Sequence, residues 1–429
     1  MDLSSVIKTV VLSNPVLPQG RRIGIEVECL FYDQQFYRIP VNRGSKFSAT
    51  DLMEALVDPG KPYSYSLEPG GQVEWASAPV LNLHRLSEQF LEHLNNETAL
   101  IKEHQLCRLD LSMEPLYQPE EIELIDQEKY RLMHALFKKT GTLGQWMMRN
   151  TASIQVNLDI VSEQDGEEMA FLADVFQPFC SLLFANSPFK EGLPTGKRNF
   201  RYEVWANTDK DRCGYLFDHG IVSAKGLLDQ YCEWLLTIPA IFRVDDGTFS
   251  AFQGTLGAYL NSLPKVDNQA VLSALHQIFT HVRFKKVLEV RGSDRPPAGF
   301  ELAPAAFWVG LLTGEKTRNK ALDFAKSISA EERVQLNNLA FTLDLSAKGP
   351  RERSLRTWLE QVVDLALTGL EERSQLLGIK NERIFLDSYL EEFFKNGFMS
   401  IQVQSAHSRR GIPLIAYLRS RCEKTLNRY

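Results

Sequence analysis

The side chains best suited to chemistry are carboxylates in two short segments that alternate apolar and polar residues. The segments are Gly24-Ile25-Glu26-Val27-Glu28 and Ser66-Leu67-Glu68-Pro69-Gly70-Gly71-Gln72-Val73-Glu74-Trp75. A period of two is typical of a half-buried β-strand, so Glu26 and Glu28 share one face. Gln72 and Glu74 share a face in the same way, and Glu68 lies beside the glycine pair. Alternate residues of a strand are roughly 7 Å apart. Like charges this close in a partly dry cleft repel unless a cation or proton compensates, so the pattern predicts cation binding.

Two later segments repeat the alternation and add amides and arginines. Residues 153–159 place Gln155, Asn157 and Asp159 on one face. Residues 282–292 place a second polar set on one face, comprising Arg283, Lys285, Glu289 and Arg291. If these strands pair in a mostly antiparallel sheet, their polar faces meet in one acidic concavity rimmed by arginines. A solvated outer face is the alternative for a single Glu-x-Glu pair.

Oxygen ligands without clustered histidine or cysteine select hard cations such as Mg²⁺ or Mn²⁺. Mg²⁺ is usually held by a few carboxylates together with nucleotide phosphates, and arginine beside it suits a transferred phosphoryl group. The sequence has neither a Gly-x-x-x-x-Gly-Lys-Ser/Thr loop nor a Gly-x-Gly-x-x-Gly turn after a strand. A bound ATP would therefore depend mainly on metal and arginine for its phosphates.

The elements that must position these residues follow from periodicity and capping. The pattern predicts a lead-in helix in residues 1–20, a strand over 22–32, a capped helix over 48–56 and an amphipathic helix over 83–106. Further helices are predicted over 167–186 (bent at Pro178), 225–242, 268–280, 304–312, 330–341, 352–377 and 382–395. Residues 192–214 are predicted to be a functional loop that contains Trp205. We expect one domain over 1–429, with a sheet core at 20–300 and a helical part at 304–429.

Composition excludes several classes of protein. The 429 residues are 44% hydrophobic and 24% charged, with a formal net charge of −6, typical of an ordinary globular protein. No basic-aromatic stripe indicates nucleic acid, and no apolar run approaches the ~18 residues of a membrane span. The first twenty residues lack the layout of a signal peptide. The six cysteines form no Cys-x-x-Cys pair, which favours reduced thiols and a cytoplasmic location over zinc or disulfides.

At these same residues the chain resembles the glutamate–cysteine ligases, in the plant-type branch shared with many bacteria. Six blocks in family order carry the resemblance: Gly24-x-Glu26-x-Glu28, Ser66-Leu67-Glu68-Pro69-Gly70-Gly71-Gln72, Met147-Met148 with Gln155-Val156-Asn157-Leu158-Asp159, Leu183-Phe184-Ala185-Asn186-Ser187-Pro188-Phe189, Trp205-x-x-Thr208-Asp209-x-Asp211-Arg212, and Leu288-Glu289-Val290-Arg291-Gly292-Ser293-Asp294. The resemblance implies an α+β fold like that of glutamine synthetase, with an antiparallel sheet bowl surrounded by helices. It also implies an ATP-dependent, ADP-forming ligase that joins the γ-carboxyl of glutamate to the amine of cysteine through γ-glutamyl phosphate, the first step of glutathione biosynthesis.

Carried over residue by residue, the resemblance implies a role for each matching side chain. Its Mg²⁺ ligands would be Glu26, Glu28, Glu68, Gln155 and Glu289. Arg291 would contact the transferred phosphate, with Gln72 and Asn157 beside the nucleotide. Arg201 would bind the glutamate α-carboxylate and act with Arg291 in catalysis. The other substrate contacts would be Trp205, Thr208, Arg212 and Arg149.

The chain departs from the family pattern in two places. Asn150 stands where an arginine is usual, with Arg149 adjacent, and Arg295-Pro296-Pro297 replaces a glycine-rich continuation. Two alternatives therefore stay open, a related ligase with another amine acceptor and a catalytically silent paralogue. The expected partners are glutamate, cysteine and ATP, without nucleic acid or membrane, in a monomer or homodimer.

Overall fold

The computed structural model describes residues 2–426, and a seven-stranded antiparallel sheet lies at its centre. The strands are β1 (Ile23–Tyr32), β2 (Ser64–Leu67), β3 (Val73–Ala76), β4 (Cys107–Leu109), β5 (Ser153–Leu158), β6 (Phe189–Lys190), β7 (Leu193–Pro194), β8 (Cys213–Gly214), β9 (Phe242–Asp245), β10 (Thr248–Ala251), β11 (Phe279–Thr280), β12 (Val282–Phe284) and β13 (Leu288–Asp294). The large sheet has the order β12-β13-β5-β1-β3-β2, and β4 pairs with the far end of β1.

Helices surround this sheet and make up the whole C-terminal part. They are α1 (Leu3–Val11), α2 (Ala49–Leu56), α3 (Leu83–Glu103), α4 (Glu128–Thr140), α5 (Gly144–Asn150), α6 (Glu163–Leu183), α7 (Phe200–Ala206), α8 (Leu227–Thr237), α9 (Leu256–Ser262), α10 (Asn268–Leu275), α11 (Ala303–Thr313), α12 (Glu315–Lys326), α13 (Ala330–Leu339), α14 (Leu355–Leu377), α15 (Ile384–Asn396), α16 (Met399–Arg410) and α17 (Leu414–Leu426). No helix among the described residues is long and apolar enough to cross a membrane. The predicted class, an antiparallel sheet surrounded by helices with a helical C-terminal part, is confirmed.

The register of the sheet brings the polar faces of four strands together. Glu26 of β1 pairs with Gln155 of β5. On the other side of β1, Glu28 pairs with Glu74 of β3. Glu289 of β13 pairs with Asn157 of β5. Directly opposed residues in antiparallel strands have Cβ atoms about 5 Å apart, so these side chains must interact.

Two segments that alternate like single strands are in fact hairpins. Residues 66–75 turn between β2 and β3, and residues 282–292 turn between β12 and β13. The first turn requires its glycines, because Gly71 has a φ of 75° and a Cβ on Gly70 would lie 2.5 Å from the Arg149 backbone. Alternation of apolar and polar residues predicts which side chains share a strand face, but it does not reveal a hairpin turn, because both strands of the hairpin keep the same two-residue period.

The opposite face of the sheet is apolar and lies against α6 and α11. Ile25, Val156 and Val290 are buried there. From Met169 to Leu183, α6 is buried on every side, because the sheet covers one side and C-terminal helices cover the other. Its helical geometry continues through Pro178. Gly292 allows α6 to approach β13, since a Cβ there would overlap the Gln177 amide.

The predicted helix positions are mostly right, but their boundaries and some connections differ. The predicted loop at 192–214 contains α7, a short helix that carries Arg201 and Trp205. The predicted helix at 225–242 ends at Thr237 and leads into β9, and the one at 268–280 ends at Leu275. The lead-in helix ends at Val11, because Pro15 and Pro18 break the pattern that follows. Short helices such as α5 and α7 give too few turns for periodicity to identify.

Candidate active site

Adjacent strands hold three carboxylates and two amides in two neighbouring hydrogen-bonded groups on the polar face. The Gln155 amide Nε2 donates to Glu28 Oε1 at 3.1 Å and to Glu74 Oε2 at 3.4 Å. The backbone N–H of Ser153 also donates to Glu28 Oε2, at 2.7 Å. Beside them, Asn157 Nδ2 donates to Glu26 Oε1 at 3.0 Å. The amides therefore set the carboxylate orientations across β1, β3 and β5.

Burial and mutual repulsion disfavour the charged forms of Glu28, Glu68 and Glu74. Burial, followed by the charge of Glu68, raises the pKa of Glu28 to about 7. Burial also raises the pKa of Glu68. The pKa of Glu74 is raised well above its usual range, first by burial and then by the charges of Glu26, Glu68 and Glu28. We name the four carboxylates Glu26, Glu28, Glu68 and Glu74 the carboxylate cluster.

A hard divalent cation fits the carboxylate cluster chemically. The cluster offers carboxylate oxygens whose negative charge is not fully compensated by neighbouring cationic side chains, and oxygen donors are the preferred ligands of Mg²⁺. Within residues 2–426, however, no three His, Cys, Asp or Glu side chains already converge closely enough to hold one ion by themselves. The arrangement therefore suits a cation whose remaining ligands are water molecules or the phosphate oxygens of a bound nucleotide. Metal binding by Glu26, Glu28, Glu68 and Gln155 stays a prediction.

Glu289 is held among cations instead. Its carboxylate contacts Arg283 at 2.6 Å, Lys285 at 2.5 Å and Arg291 at 2.9 Å. Burial opposes the charged form, but these cations together hold the pKa of Glu289 well below its usual range. With its charge already compensated, Glu289 fixes Arg291, whose Nη1 also donates to Gln155 Oε1 at 2.9 Å. Its predicted role as a metal ligand stays a prediction.

Arg201 and Trp205 of α7 lie beside Arg291. The Arg201 guanidinium is 2% exposed and donates to Asp294 Oδ1 at 3.3 Å. The Trp205 ring centroid lies 5.9 Å from the Cζ atom of both Arg201 and Arg291. Among the described residues, Arg201 Nε and Trp205 Nε1 have no hydrogen-bond partner. Unpaired buried donors suit an anionic group. Trp205 also lines a cavity of about 450 Å³ together with His281.

The structure brings four other candidate residues into supporting contacts outside the carboxylate cluster. Arg212 donates to Asp209 and to the carbonyls of Gln277 and Pro239, which ties the loop after α7 to its surroundings. The Thr208 hydroxyl donates to the Val204 carbonyl.

The remaining two support the glycine turn and its neighbours. Arg149 Nη1 donates to the carbonyls of Pro119 and Ile122. The Gln72 amide accepts from Gly70 N and donates to the carbonyls of Met148 and Thr151. Their roles in binding substrate or nucleotide stay predictions.

Two residues of the site received no role from the family resemblance. Glu74 shares a strand face with Gln72 in the sequence, and the structure shows it 8% exposed inside the carboxylate cluster. Lys129 of α4 faces Glu68, and burial lowers its pKa while the Glu68 charge opposes that shift. Nothing in the sequence places Lys129 there, because α4 is distant along the chain.

Comparison with known proteins gives relatives over most of the chain. A family model described as glutamate-cysteine ligase family 2 matches residues 22–381. A chloroplastic glutamate–cysteine ligase of Medicago truncatula is 34% identical over 323 residues, covering 72% of this chain and 62% of the relative. The chloroplastic glutamate–cysteine ligase of Arabidopsis thaliana is 35% identical, covering 72% of this chain and 60% of the relative. The chain thus spans about three fifths of the length of these curated relatives.

Two solved structures share the fold. A glutamate–cysteine ligase of Francisella tularensis, solved in complex with AMP, superposes with a TM-score of 0.62 at 12% identity. That match covers 97% of this chain and 91% of the other. A bifunctional glutathione synthetase of Pasteurella multocida gives a TM-score of 0.52 at 14% identity, covering 99% of this chain and 53% of the other. At these identities the likeness establishes the architecture alone.

Proposed function

The chain belongs to glutamate-cysteine ligase family 2, and from that premise we propose that it joins the γ-carboxyl of glutamate to the amine of cysteine at the expense of ATP. The single observation that carries the proposal is the carboxylate cluster, with Arg201 and Arg291 both beside Glu28 and both packed against the Trp205 ring. A reaction of an anionic nucleotide with an anionic amino acid needs such a combination of cation-binding carboxylates and arginines. The product would be γ-glutamylcysteine, the first intermediate of glutathione biosynthesis.

Catalysis by these residues has to overcome the poor electrophilicity of a carboxylate. Transfer of the γ-phosphoryl group of ATP to a glutamate γ-carboxylate oxygen gives γ-glutamyl phosphate and ADP. The cysteine amine then attacks the acyl carbon, loses a proton, and expels phosphate. Arg291, held between Glu289 and Gln155, is placed to stabilise charge on the transferred phosphoryl group because its guanidinium is already oriented.

The metal site that we propose comprises Glu26, Glu28 and Glu68 from the predicted set, joined by Glu74. The predicted ligands Gln155 and Glu289 contribute through their hydrogen bonds to Glu28 and Arg291. A bound Mg²⁺ would neutralise phosphate charge and align the phosphoryl group. Gln155 holds Glu28 and Glu74 in place through its Nε2. The chain's own contribution is to position these oxygens before nucleotide arrives.

Arg201 is proposed to bind the α-carboxylate of glutamate. Its guanidinium is buried, and its Nε has no acceptor among the described residues, so a carboxylate would satisfy it. Trp205 packs against both arginines and excludes water from their guanidinium groups. Glutamate bound there would direct its γ-carboxyl toward Arg291 and the carboxylate cluster.

We also propose a cytoplasmic location and a monomer or homodimer. The six cysteines are all unpaired, which supports a reducing compartment. The acceptor amine is the least constrained part of the proposal, because the cavity beside Trp205 is bounded by residues that suit several small amino acids. A ligase with another acceptor is the second candidate.

The test is ADP release by the purified protein with ATP, Mg²⁺ and glutamate, with and without cysteine. We expect cysteine-dependent release and a product with the mass of γ-glutamylcysteine. Arg291→Lys is the matched variant, expected to lose at least about tenfold in kcat because a point charge replaces a planar guanidinium oriented by Glu289 and Gln155. Release with 2-aminobutyrate or another amine but not cysteine would change the acceptor. No release with any amine would support a silent paralogue.

A further inference from the structure

A cavity of about 790 Å³ lies outside the candidate active site. One wall is the N-terminal half of α6, a second is the segment around residues 217–225, and a third is the corner between α12 and α13. The carboxylate cluster and Arg291 do not line it. A ligand here would not compete for the active-site groups.

The floor of this cavity is apolar and pre-formed. Phe171, Leu322 and Ile328 line it, although each is at least nine-tenths buried by the fold. Val222 at the rim is 54% exposed. A concave, largely apolar surface with a few fixed polar groups is the usual form of a small-molecule site.

Arg333 of α13 supplies the polar group. It lines the cavity, is 5% exposed, and stacks on the Phe217 ring with its Cζ 4.4 Å from the centroid. Its Nη2 donates to Asp174 Oδ2 at 2.6 Å. Its Nε and Nη1 have no hydrogen-bond partner among residues 2–426. Buried donors without an acceptor are costly, so a ligand that brings an acceptor would be stabilised.

The charges around the cavity favour an anion. Lys225 and Lys326 line it, are exposed, and make no ion pair within the described residues. Of the acidic side chains, Glu168 pairs with Arg318 at 3.1 Å, and Glu167 accepts a neutral hydrogen bond from Leu228 N. Two unpaired lysines thus stand against one unpaired carboxylate, and the balance of charge is positive.

We propose that this cavity binds a small carboxylate ligand with an apolar body. The carboxylate pairs with the Arg333 guanidinium, which lines the cavity, and the apolar body lies on Phe171, Leu322 and Ile328. Asp174 holds the other edge of the guanidinium and also accepts from the backbone N–H groups of Leu216 and Phe217. Arg333 is thus oriented before a ligand enters, which reduces the entropic cost of binding.

The test is calorimetric titration of the full chain with 4-phenylbutyrate and with 4-phenylbutan-1-ol, which has the same apolar body without the charge. We expect saturable binding of the acid, about tenfold tighter than the alcohol, because hydrogen bonds to a charged acceptor are the stronger ones. Arg333→Gln is expected to remove that difference. Equal affinities for acid and alcohol, or no saturable binding, would overturn the proposal.

A second pair of variants keeps the test decisive if loss of Arg333 leaves Asp174 unpaired and the protein unfolded. Ala330 lines the cavity at the exposed start of α13, so Ala330→Trp fills its mouth. The neighbouring Glu331 is exposed and does not line the cavity, so Glu331→Trp is the matched control. We expect Ala330→Trp to weaken binding of the acid at least tenfold and Glu331→Trp to leave it unchanged. Unchanged binding in Ala330→Trp would place the ligand elsewhere.

Discussion

Replacing Glu74 by glutamine is expected to stabilise the metal-free protein while weakening its response to Mg²⁺. The side chain is 8% exposed and directly faces Glu28 across β1 and β3. It accepts from Ser66 Oγ at 2.8 Å and from Gln155 Nε2 at 3.4 Å. Glutamine keeps the shape and removes the charge, so repulsion within the carboxylate cluster falls.

The size of the effect follows from that register. Opposed residues in antiparallel strands place their carboxylates about 6 Å apart, where two unit charges repel by about 3 kcal/mol at an effective dielectric constant of about 20. Protonation of the buried carboxylates already relieves part of this, since the pKa values of Glu28 and Glu74 are raised. We therefore expect Glu74→Gln to raise the free energy of unfolding by about 1–2 kcal/mol without metal.

The assay is urea unfolding of wild type and variant in chelator, then in Mg²⁺ with ADP. A ligand at a hundredfold excess over its Kd stabilises the native state by about 2.7 kcal/mol. Because the variant binds Mg²⁺ more weakly, the same ligand concentration should stabilise it less than the wild type. Ser66→Ala is the matched control, because it removes a hydrogen bond to Glu74 and leaves the charge. The reasoning is refuted if Glu74→Gln is the less stable protein in chelator and responds to Mg²⁺ and ADP as strongly as wild type.

Three further changes test other parts of the site and fold. Arg201→Lys should raise the KM for glutamate at least about tenfold, measured by ADP release, because lysine cannot contact Asp294 and a substrate carboxylate with one planar fork; an unchanged KM would remove Arg201 from substrate binding. His93 is buried and neutral, and burial lowers its pKa to about 4. Its contribution to stability is present above the unfolded pKa of about 6.5 and is lost on acidification, by about 1.4 kcal/mol at pH 5.5. His93→Gln should therefore reduce the change in urea midpoint between pH 7.5 and pH 5.5. An unaltered pH dependence of the midpoint would contradict this. Gly70→Ala should lower the free energy of unfolding by about 1–3 kcal/mol, since the new Cβ meets the Arg149 backbone at 2.5 Å; a wild-type midpoint would show that the turn adjusts.

Particular residues show how far periodicity reaches. The alternation around Glu26, Glu28 and Gln155 predicted a shared polar face, and the register of β1 and β5 places them together. Arg283 and Glu289 were assigned to one face of a single segment, and they contact each other across a hairpin instead. The assignment of faces is local and persists through a turn, because each arm keeps its period of two.

The sequence by itself determined the acidic blocks, the family resemblance, the apolar helices and the polar face of each strand, since these depend on residue type and near-neighbour spacing. Only the tertiary structure decided which polar faces meet. It placed Glu74 inside the carboxylate cluster, committed Glu289 to three cations and brought Lys129 over Glu68. Strand order and helix placement join residues far apart in the chain, and charge compensation depends on distances that no local pattern contains.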